Sequence, residues 1–77
     1  MTLNEFLAHV KDVTDWGDTV WFRVNNHGNG GVRFQTADTD AAHAIELRAV
    51  RAGLRFKQTE TDGVLVLNVN GFDHATD

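Results

Sequence analysis

The groups in this chain that could do chemistry are four histidines, eleven carboxylates, seven lysines and arginines, and one glycine-rich run. A metal site needs three or four ligands converging on one point. His43 and Glu46 stand three residues apart, as do His9 and Asp12, but two donors do not close a coordination shell. General acid–base catalysis needs a pair of carboxylates, or a histidine with a carboxylate, in a cleft. The carboxylates here fall where helix caps, turns and a polar tail are expected. Neither serine nor cysteine occurs, so neither can act as nucleophile and no thiolate can hold zinc. His27-Gly28-Asn29-Gly30-Gly31 has the composition of a phosphate-cradling loop. Such loops work by opening a helix, whose amides and dipole face the anion. This run instead leads into alternating apolar residues and reads as the turn of a hairpin. The chain is therefore expected not to be an enzyme, and to need neither metal nor cofactor.

Binding chemistry remains, and it depends on which way the basic and aromatic side chains point. Successive residues of a strand point to opposite faces. From 19 to 25, Val20, Phe22 and Val24 alternate with Thr19, Trp21 and Arg23; from 32 to 36, Val32 and Phe34 alternate with Arg33 and Gln35. From 54 to 60, Leu54, Phe56 and Gln58 alternate with Arg55, Lys57 and Thr59. Residues 64–69 are apolar on both faces, which suits an interior strand. Thr61-Asp62-Gly63 supplies the turn before it.

Two helices complete the set. Thr2-Leu3-Asn4-Glu5 fits a capping box, and Leu3, Phe6, Leu7, Val10 and Val13 then share one face, predicting a helix over 3–13. The second is expected over 39–52, with Asp38 or Thr39 as its cap and Gly53 as its exit. Its small residues, Ala41, Ala42, Ile45, Ala49 and Ala52, form a flat face suited to close approach to a sheet. Leu47, Val50 and Leu54 form a second ridge, expected to meet the first helix or a partner subunit.

The order α-β-β-α-β-β predicts a two-layer α+β sandwich: a four-stranded antiparallel sheet with both helices on one face. The other face is then open, and the alternation places Trp21, Arg23, Arg33, Arg55 and Lys57 on it. Val64 and Val66 point the same way and are expected to lie beside Trp21 as an apolar cluster. Four of the seven basic residues fall on this face and no acidic one does. A rigid sheet presenting arginines can contact partner carboxylates or phosphates, and an exposed tryptophan can anchor or stack.

Length and composition narrow the partner. Seventy-seven residues make one domain, spanning 1–77, with 71–77 expected as a frayed tail. A chain of this size buries only about 60–65% of its surface, which leaves no room for a deep pocket. With no apolar run of membrane-spanning length and no visible signal peptide, a cytoplasmic location and no membrane contact are expected. The net charge is −4, whereas nucleic-acid-binding domains are usually basic overall. The expectation is thus a non-catalytic binding protein that docks on a protein partner, as inhibitor or adaptor. Nucleic-acid binding by the basic face is the first alternative, and a homodimeric structural module, seamed on that face, the second; the chain is expected as a monomer or homodimer. The acidic residues Asp12, Asp15, Asp38, Asp40 and Glu46 form a second candidate surface, able to imitate a phosphate array. Small cysteine-free acidic proteins of phages and mobile elements, anti-CRISPR inhibitors among them, work in that way; the analogy is one of size and charge.

Overall fold

A computed structural model describes residues 1–14, 20–24 and 31–73. Its elements are α1 (Leu3–His9), α2 (Lys11–Thr14), β1 (Val20–Val24), β2 (Val32–Thr36), α3 (Thr39–Arg51), β3 (Arg55–Thr61) and β4 (Val64–Asn70). The four strands form one antiparallel sheet in the order β1-β2-β4-β3. The chain is the expected α+β sandwich, and its last strand lies in the interior of the sheet.

Local chemistry starts and stops each element. The Thr2 hydroxyl accepts from the Glu5 N–H at 3.2 Å, and the Glu5 carboxylate accepts from the Thr2 N–H at 2.9 Å. The helix expected over 3–13 is broken at Val10, whose φ of −101° and ψ of 8° lie between the helical and extended regions. The Val10 carbonyl still accepts from the Val13 and Thr14 N–H groups, so the apolar stripe runs through the break. Phe6, Val10 and Val13 are all fully buried. A periodic pattern does not register a single non-helical residue when the side chains on either side keep the same face.

Asp38 caps α3: its Oδ1 accepts from the N–H groups of Asp40 at 2.9 Å and Ala41 at 3.2 Å. At the other end the Gly53 N–H bonds to Val50 O and the Leu54 N–H to Ala49 O, both at 3.0 Å. This Schellman closure needs a left-handed residue, and Gly53 supplies it with φ 74°. Leu54 is consequently spent on the helix exit, and β3 begins one residue later than the alternation suggests. Asp62 and Gly63, at φ 53° and 81°, form the positive-φ pair that a two-residue hairpin turn requires.

The core lies between the sheet and the helices. Val32, Phe34, Leu67 and Val69 face Phe6, Val10, Ala41, Ile45 and Ala49. The alanines let α3 sit close on the sheet. Its second ridge finds no cover: Leu47 and Val50 remain 39% and 60% exposed, and only Leu54 joins the core. The tail is also tied further than expected. Phe72 is buried with its ring 5.5 Å from that of Phe6, and Asp73 holds the Met1 ammonium at 2.8 Å. An aromatic two residues past the strand fills the gap beside α1, so Gly71–Asp73 are held, and residues 74–77 lie outside those described. No helix among the described residues is long and apolar enough to cross a membrane.

Removing the α3 cap leaves two amide donors unpaired. Asp38→Ala is expected to cost about 1 kcal/mol, read as a lower urea midpoint at unchanged m-value.

Candidate functional site on the open sheet face

The strand register fixes what the open face displays. Arg23 lies opposite Arg33, Arg33 opposite Asn68, and Asn68 opposite Lys57. These four residues form one row across all four strands, about 14 Å from end to end at the usual strand spacing. A second row reads Trp21, Gln35, Val66, Thr59. Arg55 lies opposite Asn70 at the end of the sheet. The face thus gathers Trp21, Arg23, Arg33, Arg55 and Lys57, with no carboxylate among the described residues on it.

One expected neighbour relation is corrected. Trp21 does not lie beside Val64 and Val66, because β2 intervenes and Gln35 separates Trp21 from Val66. Alternation reports the face of a residue but not the order of strands. Trp21 instead stands near one edge of the sheet, 62% exposed. It borders a shallow depression of about 200 Å³ with Phe22, Arg23, Arg33 and Gln35.

None of the four cations on this face has an ion-pair or side-chain hydrogen-bond partner among the described residues. Arg48, on the helical side, shows the contrast. It grips Asp12 with both guanidinium arms, Nη2 to Oδ2 at 2.8 Å, and donates to the His9 carbonyl at 3.1 Å. The clamp ties α2 to α3 and holds the Asp12 carboxyl below its ordinary pKa, chiefly through the hydrogen bond from Arg48. Arg23 and Arg33 receive the opposite treatment. Two like charges directly opposite each other across a strand pair destabilise the pair.

The acidic surface is less available than its composition suggests. Asp12 is held by Arg48, and Asp38 is turned back onto the start of α3. Glu46 lies 3.6 Å from the His43 ring. Asp40 is exposed, and Asp15 lies outside the described residues. Carboxylates placed at caps face their own backbone, so counting them overstates the free charge.

Two further residues belong to the face. Asn68 sits in the cationic row, and its signal was a polar residue interrupting the apolar run of β4. Asn70, opposite Arg55, buries its side-chain oxygen with no hydrogen-bond partner among the described residues. Among the described residues no three His, Asp or Glu side chains converge.

Comparison with protein-family models, with curated proteins and with solved structures finds no match.

Two outcomes test this charge map. Arg33→Glu turns a cross-strand repulsion into an attraction and is expected to raise stability by about 0.2–1 kcal/mol; added salt should narrow the gap to wild type by screening both. The depressed Asp12 pKa contributes stability that is present above the unfolded-state value and is lost as pH falls through the folded one. The urea midpoint should therefore drop on acidification below about pH 4, and drop less steeply in Asp12→Asn.

Proposed function

We propose that the protein is a non-catalytic binding module that docks through its open sheet face on an acidic surface of a protein partner, as an inhibitor or adaptor. The observation that carries this reading is the row Arg23–Arg33–Asn68–Lys57, cationic and unpaired among the described residues. Facing arginines cost stability when no carboxylate compensates them, and binding an acidic surface repays that cost. Arginine forks give such contacts bidentate geometry, Asn68 and Gln35 can donate and accept between them, and Trp21 offers an apolar anchor at the rim.

A protein is favoured over nucleic acid on two grounds. Platforms that read single strands stack several bases on several aromatics, whereas this face has one among the described residues, on an edge strand. The net charge of −4 also opposes the long-range approach of a polyanion, while a local acidic patch needs only the local row. The acidic helical side is the weaker docking candidate, because Asp12 and Asp38 are engaged within the fold.

Anisotropy titrations with a labelled glutamate-rich peptide, and with labelled single- and double-stranded oligonucleotides, test the reading at low and near-physiological salt. The peptide is expected to bind with salt-sensitive affinity, and the Arg33→Glu, Arg55→Glu double variant to weaken it at least about ten-fold, or 1.4 kcal/mol, while remaining folded. Tighter binding of an oligonucleotide, lost in the same variant, would transfer the face to nucleic acid. No binding of either probe at low salt would remove the face from function.

A further inference from the structure

The two edges of the sheet are built differently. An edge strand offers a row of unpaired backbone donors and acceptors, and proteins usually guard it with charge. The β3 edge is guarded: Arg55, Lys57 and Glu60 lie along it among threonines, all exposed. The β1 edge is not. It reads Val20-Trp21-Phe22-Arg23-Val24, with one charge, and leaves Trp21 62% and Phe22 47% exposed. Phe22 points to the helix side, where its ring lies 5.9 Å from that of Phe34, yet the helix layer does not cover it.

We propose that β1 is a dimerisation edge, on which a second copy of this chain pairs its own β1 antiparallel, centred on Phe22. The strand is complementary to itself in that register. Val20 meets Val24 of the second copy, Phe22 meets Phe22, and Trp21 meets Arg23 in both directions. Residues directly opposite in an antiparallel pair point to the same face. The two Trp21–Arg23 pairs therefore lie on the open face, as cation–π contacts, while the valines and phenylalanines extend the core on the helix side. A slip of one residue turns the faces over. A slip of two toward the C-terminal end sets Arg23 against Arg23. Centring on Phe22 gives each Arg23 an aromatic neighbour and no further cation.

The consequence is one continuous sheet of eight strands with a two-fold axis normal to it. Both open faces lie on the same side. The row Lys57–Asn68–Arg33–Arg23 runs on into Trp21 and Gln35 of the second copy, and the platform doubles in width. A five-residue seam is small for a stable interface, so association depends on concentration.

Sedimentation velocity from about 1 μM to 1 mM tests this without any ligand, and so separately from the docking reading. The wild-type mass is expected to rise from one chain of 8.6 kDa to twice that. W21K sets a second cation against Arg23 at both ends of the seam and should stay monomeric while keeping its circular dichroism. W21K/R23E should dimerise again, because opposite charges then face each other at both ends of the seam. In wild type, alternate β1 amides should gain hydrogen-exchange protection at the dimeric concentration. The proposal is overturned by a wild type that is monomeric throughout, by a dimeric W21K, by a W21K/R23E that does not recover, or by β1 amides whose protection ignores concentration.

Discussion

A chain of 77 residues without cysteine has enough large apolar side chains to cover a four-stranded sheet on one side only. That constraint organises the whole molecule. The helices must share the covered side, so α1, α2 and α3 converge on Phe34, Leu67 and Val69. α3 lies flat there because its inner face is mostly alanine. The opposite side receives no layer, and the strict alternation of the strands delivers polar and cationic residues to it. The same shortage shows at the margins, where the helix layer stops short of Phe22 and the outer ridge of α3 leaves Val50 exposed.

Charge is then distributed by what each side requires. On the helical side the charges serve the fold: Asp38 satisfies α3 amides, Glu5 closes the capping box, and Arg48 with Asp12 joins two helices. On the open side the cations satisfy nothing within the described residues. The arrangement of Arg23 against Arg33 works against folding, and residues that work against folding are where local rules and functional demands part company. The molecule is in this sense divided, with charges engaged in the fold on one surface and cations left unengaged, among the described residues, on the other.

Alternation and helical periodicity made the element order and the two faces legible in the sequence, because each depends only on nearby residues. Trp21, Arg23, Arg33, Arg55 and Lys57 share a face for that reason. The order of strands was legible only in part: the apolar run of β4 marked an interior strand, but which strands flank it is a long-range choice with no local signature. Hence the separation of Trp21 from Val66, and the cationic row itself, required the register. The interruption at Val10 escaped because burial on both sides of it continues unchanged. The engagement of Asp12 depended on Arg48, thirty-six residues away, and the docking of Phe72 on Phe6; neither distance is visible to a periodic pattern.

The position of β4 also governs how the protein comes together and apart. β1 and β2 form a hairpin, and β3 is reached only after α3, so the sheet is in two pieces until its final strand enters between them. Val32 pairs with Val69 and Thr36 with Leu65, contacts that close long loops before any of their burial is gained. Neither piece can keep its apolar face from water alone. Closure of the sheet thus waits on one central pairing between distant parts of the chain, the kind of contact that carries the largest loop-closure cost.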